Sequence, residues 1–364
     1  FPWLLRHDVS VVVLALAFAG VLVGGRITGL LGSIHNVERR TGGAYYYPFA
    51  VLGAWILSGG DALLFCVPLA IMAIADTGAA LVGQAAGQTT FVVMDGKRSV
   101  EGSVTFFGLA FAIALVGCAL AGRPGWPDVL LVTLVVATLT TAVEAVSVRG
   151  SDNVAIPYAG WLALDHTGRI GLDALGDWIL GMTLGVTVLL VSARRARLDA
   201  AGALVVFLVS TLAFALGGVR WFLPMGALYG GYLATRDPAE NSLDRVFPTT
   251  AGAMVVVLLF AHTEDPSLYL AYLTAVATNG AMAGLLVAGT RGWPRAPLAF
   301  AGAAGPVLVA AMTGEAVPLW IPLAGAVVGV GLLRLLRRGP PVGRRALISL
   351  AVGLGAWTLF RFSA

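Results

Sequence analysis

Charge is the first thing this chain of 364 residues has little of: Asp, Glu, Lys and Arg together make up 12% of it. Soluble globular chains carry about 25%, and the deficit here runs along the whole length, which argues against an ordinary water-soluble domain. Lysine is scarcer still. Lys97 is the one lysine, and the other 22 of the 23 basic residues are arginine. The two cysteines, Cys66 and Cys118, both lie inside apolar runs, so a disulfide framework or a cysteine metal site is excluded in favour of packing. His7, His35, His166 and His262 show no metal-ligand spacing. No GxxxxGK[ST], HRD, DFG or GxSxG sequence occurs, which argues against a soluble nucleotide-binding domain. No cleavable signal peptide is evident, and since the chain starts at Phe1 rather than Met a preceding piece can be missing.

What is present is apolar. Hydrophobic residues reach 58%, mean hydropathy is +0.89, and apolar runs near 18 to 20 residues recur. Runs of that length span a bilayer as helices. Fourteen runs are read, at roughly 10–31, 44–58, 62–76, 104–121, 127–147, 154–164, 174–193, 200–218, 221–235, 246–263, 266–290, 297–314, 317–336 and 346–361. The expected fold is therefore all-α: a polytopic integral membrane helical bundle with about 14 transmembrane helices. The 47 glycines fit close packing between such helices.

If every run crosses once, the loops alternate between two faces. The face holding Lys97 then receives 17 basic residues and the other 5, with Arg26 inside the first run. That bias makes the Lys97 face cytoplasmic in a multi-pass cell-membrane protein. It also accounts for the pI of about 9.3 through loop arginines, so no nucleic-acid partner is expected.

Three polar stretches share that face: "HNVERRTGGAYYYP" (35–48), "AIADTGAALVGQAAG" (73–87) continuing to "DGKRSVEGS" (95–103), and "EAVSVRGSDNVAIP" (144–157). Asp76 ends an apolar run, and an ionisable residue at membrane depth is a functional candidate. Gly78, Gly83 and Gly87 follow at intervals of five and four residues, where small residues admit a neighbouring backbone or a ligand. Lys97 stands four residues before Glu101, a spacing that would place both on one helix face. Lysine is a compact charge suited to phosphate, and glutamate suits Mg²⁺ or the positioning of that lysine. Glu144, Asp152 and Asn153 add two acids and an amide. Five carboxylates (Asp76, Asp95, Glu101, Glu144, Asp152) thus face Lys97, Arg98 and Arg149. Acids that hold Mg²⁺ beside bases that hold phosphates describe a metal–nucleotide site.

"ADTGAALVGQAAGQ", "GKRSVEGSVTFF", "EAVSVRGSDNVAIP" and "ERRTGGAYYYP", in that helical context, resemble the polyprenol kinase family, the dolichol and phytol kinases, which look like relatives of the membrane phosphatidate cytidylyltransferases. The resemblance covers about residues 30–165. It implies Mg²⁺-assisted phosphoryl transfer from a nucleoside triphosphate, typically CTP, to an isoprenoid alcohol. Carried onto matching positions, it makes Asp76, Lys97, Glu101 and Asp152 catalytic and gives Asp76, Glu101, Glu144 and Asp152 to the metal. Gly78, Gly83, Gly87, Lys97, Arg98, Ser99, Gly102 and Asn153 fall to the nucleotide. Two departures stand out: the family's early "RK…H" stretch has no good match near residues 1–10, and about 200 residues follow the "DN…P" segment.

Two domains are expected, a catalytic one at 1–170 and a second membrane domain at 171–364 that resembles the membrane proteins that include phytyl-phosphate kinases. In the second, "LTAVATNGAMAGLL" (273–286) echoes "LAIMAIADTGAALVG" (69–83), with Thr278 at the place of Asp76 and no lysine anywhere, as in a degenerate repeat. The isoprenoid tail is expected to enter sideways from the bilayer between 44–58 and 104–121, past Tyr45, Tyr46 and Tyr47 at headgroup depth. Two rival functions stand beside the kinase: a CDP-lipid-forming cytidylyltransferase and a membrane transporter. Transporters place polar groups in broken helices near the bilayer centre, whereas the acids here are read at helix ends on one face.

Overall fold

A computed structural model of the chain describes residues 8–28, 43–93, 96–122, 126–147, 150–195, 200–235, 243–291, 295–313, 318–335 and 341–363. Among these residues fourteen helices follow one another, taking Ala62–Ala86 as one, and a two-stranded hairpin interrupts them once. α1 (Asp8–Thr28), α2 (Gly43–Ser58), α3 (Ala62–Ala86), α4 (Val100–Leu120), α5 (Trp126–Val146) and α6 (Asp152–Ile170) belong to a compact unit, Phe1–Leu175. The second unit, Gly176–Ala364, holds most of α7 (Leu172–Arg195) and then α8 (Ala200–Gly217), α9 (Val219–Thr235), α10 (Leu243–Thr263), α11 (Leu268–Arg291), α12 (Arg295–Met312), α13 (Trp320–Leu335) and α14 (Pro341–Ser363).

Helices do form at the apolar runs, but the expected count of about 14 crossings does not follow. Five described stretches are long and apolar enough to cross a membrane: 62–86, 100–120, 128–146, 268–285 and 295–312. α2 and α13 are apolar but have only 16 residues each. At 1.5 Å per residue, 16 residues rise only about 24 Å, against a hydrocarbon core of about 30 Å. α6 carries Asp152, Asn153, Asp165, His166 and Arg169 within 19 residues. The tally of arginines by face assumed that every run crosses, so it loses that footing. The architecture fits an all-α membrane bundle all the same. α4 is the clearest case, because Val104, Val116 and Leu120 project from it exposed. Such residues gain about 1.5–3 kcal/mol each when withdrawn from water, which lipid provides.

In the first unit α3 packs on α4, α4 on α5, and α5 on α6. Asp61 caps α3 by accepting from the Leu63 and Leu64 amides at 2.8 and 3.2 Å. The helix does not stop at Asp76, as the sequence implied. It passes through a π-helical turn, Ile71–Ala75, and continues to Ala86. Pro68 lies three residues before that turn; it lacks an N–H and crowds the carbonyl four residues back, and π turns commonly accompany functional sites. Trp55 and Phe65 meet edge to face at 5.3 Å in a small core with Val11 and Ala54. The Trp161 indole donates to the Leu57 carbonyl at 2.9 Å, tying α6 to α2.

The second unit is organised around α11, which packs against α10, α12, α13 and α14. Gly280 and Gly302 bring the backbones of α11 and α12 into contact; a Cβ on either would strike the other's carbonyl. Trp221 stacks on Phe260 with centroids 4.6 Å apart, and the Tyr272 hydroxyl donates to the Trp221 carbonyl. At one end Asp265 pairs with Arg361 at 2.8 Å, and the Trp357 indole donates to Ser267 at 2.7 Å. Thr278 and Asn279 are fully buried on α11, and neither the Thr278 hydroxyl nor either polar atom of the Asn279 amide has a hydrogen-bond partner among the described residues.

Candidate functional site

The segment around Lys97 is not helical. Thr90–Val93 (β1) and Gly96–Ser99 (β2) pair antiparallel, with Val92 opposite Lys97 and Phe91 opposite Arg98. This corrects the expectation that Lys97 and Glu101 share a helix face: α4 begins only at Val100, after Ser99 caps it. The Ser99 hydroxyl accepts from the Gly102 amide at 3.1 Å, as N-cap serines do. A signal for the hairpin was present, because "TFVV" is rich in strand formers and Asp-Gly is a tight-turn dipeptide. Asp95 itself lies outside the described residues, as does Arg149.

Thr89 closes the base of the hairpin. Its carbonyl accepts from the Val100 amide at 2.8 Å. Its own amide donates to the Glu101 carboxylate at 3.0 and 3.3 Å. Glu101 also accepts from backbone N–H groups of Gln88 and of Glu101 itself. Its carboxylate therefore fastens the hairpin to α4. The consequence for anion recognition is direct. The first amides of α4 would be natural phosphate donors, but Val100, Glu101 and Gly102 have protein acceptors. An anion arriving here would meet side chains in their place.

Those side chains line a polar recess of about 280 Å³, with Gln84 and Gly83 on α3, Lys97, Arg98 and Ser99 on β2, and Glu144 on α5. Lys97 is exposed and makes no ion pair among the described residues. Arg98 is half-buried and bridges two acids. Its guanidinium lies 2.6 Å from Glu144 and 3.8 Å from Asp152. Glu144, with only 4% of its side chain exposed, occupies the last turn of α5, where the helix dipole opposes a negative charge. Asp152 and Asn153 open α6, and the Asn153 backbone N–H donates to the Asp152 carboxylate at 2.9 Å. Asp76, partly buried on α3, interacts electrostatically with Asp152 and Arg98, and Glu144 with all three. Four residues from four elements, 76 positions apart at the extremes, thus form one electrostatic group.

The glycines pack closely. Cβ atoms on Gly83, Gly87 and Gly102 would come within 2.9–3.0 Å of the Ser99 side chain. Gly78 faces the Leu109 side chain. The glycines thus bring α3 against the start of α4 and hold Ser99 between them; Gly83 and Gly102 also border the recess. Tyr46 and Tyr47 are exposed on α2, and the side chain of Tyr45 lies outside the described residues. Tyr47 borders an apolar cavity of about 510 Å³ with Phe18, Val51, Trp55, Phe65 and Leu69. That cavity lies among α1, α2 and α3, so α4 is not among its walls as the expected lateral entry required.

Among the described residues no group of three His, Cys, Asp or Glu is arranged to hold a metal ion. The donor set nevertheless suits Mg²⁺ carried on a polyphosphate, which uses one or two carboxylates and substrate oxygens instead of an all-protein cage.

Fold and site together define a helical, membrane-type protein with a polar recess of basic and acidic side chains on one unit. Over 142 residues, 38% of the chain, it is 29% identical to a phytol kinase from Synechocystis sp.. The match spans about 60% of the length of that relative. No family model matches the chain, and no solved structure matches it.

Proposed function

We propose that the first unit is a kinase of isoprenoid alcohols, phosphorylating a phytol- or dolichol-like substrate from a nucleoside triphosphate, CTP in the first instance, at the cytoplasmic membrane face. The observation that carries the reading is the recess lined by Lys97, Arg98 and Glu144, where Arg98 also reaches Asp152 and interacts with Asp76. The likeness to a phytol kinase supports the same chemistry.

In this reading the alcohol oxygen bonds to the γ-phosphorus and the bond from that phosphorus to the β,γ-bridging oxygen breaks. The nucleoside diphosphate leaves, and the hydroxyl proton passes to a carboxylate, with Asp76 and Asp152 the candidates within the group. Lys97 and Arg98 hold the phosphates, and Ser99 adds a hydroxyl at the recess wall. Asp76, Glu144 and Asp152 are the residues that would hold Mg²⁺, which when bound neutralises charge on the transferring phosphoryl group. Glu101 positions the hairpin. The apolar cavity beside Tyr47 and Trp55 offers the isoprenoid tail a place with few polar groups to desolvate.

The test uses the full chain in nanodiscs with CTP labelled at either the α- or the γ-phosphate and a panel of prenols. Lipid product carrying only γ-label supports the kinase. Product carrying α-label means cytidylyl transfer and overturns it. Absence of product with either label, from CTP or ATP, together with substrate flux in proteoliposomes, means a transporter.

A further inference from the structure

We propose that Arg98 is the resting counter-ion of the recess: it occupies the acids Glu144 and Asp152 until a polyphosphate draws it away, and only then are those acids open to a divalent cation. Glu144 is nearly sealed from solvent and sits at the negative end of α5, and the cation touching it is Arg98 at 2.6 Å. The same guanidinium stands 3.8 Å from Asp152, a longer approach that leaves it only loosely held on that side. Arg98 belongs to a two-stranded hairpin and keeps about a quarter of its side chain exposed toward the recess. It can therefore exchange carboxylate for phosphate by rotating its own side chain, and guanidinium binds both groups in the same forked geometry.

A consequence is an order of binding. A divalent cation arriving alone meets the charge of Arg98 at the acids it needs. A polyphosphate arriving first supplies Arg98 with another partner and leaves Glu144 and Asp152 exposed as a pair of carboxylates. Lys97 is not part of this exchange, because no acid holds it among the described residues. The inference takes from the proposed function only that the recess receives a polyphosphate.

Two binding measurements on the purified full chain test it without turnover. The first titrates Mn²⁺ alone and follows free Mn²⁺ by electron paramagnetic resonance. Wild type should bind weakly, Arg98→Gln at least tenfold more tightly, and Lys97→Gln within about threefold of wild type. The second titrates inorganic tripolyphosphate in EDTA by calorimetry. Glu144→Gln, which frees Arg98 without leaving a buried charge behind, should bind at least threefold more tightly than wild type, whereas Asp61→Asn, an acid outside the recess, should not change. The exchange is overturned if Arg98→Gln and Lys97→Gln raise Mn²⁺ affinity alike, or if Glu144→Gln leaves tripolyphosphate binding unchanged. The second arm stands even where Arg98→Gln fails to fold. Binding of this pattern with no prenol phosphorylation would sink the kinase reading alone. Phosphorylation without this pattern would sink the exchange alone.

Discussion

Replacing Gly102 by alanine sets two effects against each other, and the structure decides the sign. In an ordinary helix the change stabilises by about 0.5–1 kcal/mol, since glycine loses the most backbone entropy. Here the new Cβ would stand 2.9 Å from the Ser99 hydroxyl and 3.1 Å from the Ala79 carbonyl. Relieving that contact forces α3 and α4 apart or moves Ser99. Overpacking of this kind costs about 1–3 kcal/mol. Moving Ser99 also breaks the cap it makes to the Gly102 amide at 3.1 Å, worth about 1 kcal/mol. The net expectation is a loss of about 1–3 kcal/mol, with β2 and therefore Lys97 and Arg98 displaced. Unfolding in detergent by denaturant measures the first effect, and metal-free tripolyphosphate affinity measures the second. Ser99→Ala in the same chain removes one of the two clashing atoms, so the double variant should lose less than the sum of the single losses. A Gly102→Ala protein more stable than wild type, with unchanged phosphate affinity, would refute the close-packing account of Ser99.

Lys97→Arg keeps the charge but replaces a compact ammonium with a wide fork, and should lower turnover at least tenfold, about 1.4 kcal/mol in the barrier; near wild-type turnover in a folded variant would remove Lys97 from the phosphate site. Asn279→Leu removes a buried amide with no hydrogen-bond partner among the described residues and should raise the stability of the second unit, since an unpaired buried amide costs about 1–3 kcal/mol; a destabilised protein would mean the amide has an essential partner. The Asp265 carboxyl is held below its ordinary range by the Ser267 hydroxyl first, with Arg361 contributing. A depressed carboxyl gives stability that is present above its unfolded pKa, about 3.9, and lost as pH falls below it. Asp265→Asn should therefore narrow the difference in stability between pH 7 and pH 3, and an unchanged difference would exclude the pair as its source.

Helix positions were legible because long apolar runs carry their own signal, from Val104 through Leu120 above all. Asp76 was placed at a helix end because polarity rises there, yet Ala79, Ala80, Leu81 and Ala86 keep the following residues helical. The hairpin was missed although "TFVV" and Asp-Gly announce it; its strands are four residues each and lie between longer elements. Lys97 stood out by its singularity, whereas the contact between Arg98 and Glu144 joins residues 46 apart. No periodicity reports such a pair, because it depends on how α5 and the hairpin meet in space. The same holds for the glycines: their spacing showed that something comes close, and only the packing identifies it as Ser99.

The π-helical turn at Ile71–Ala75 makes the response of α3 to a one-residue deletion depend on where it falls, which hydropathy cannot register. It accommodates a residue more than an α-helical path would. Deleting one of its five residues would let the turn relax to α-helical geometry, with Asp76, Gly83 and Gly87 keeping their directions. Deleting a residue from the α-helical stretch that follows, between Asp76 and Gly83, has no such slack to draw on and would turn Gly83 and Gly87 away from Ser99 by about 100°. The same lesion in one helix is thus absorbed in one turn and disruptive in the next.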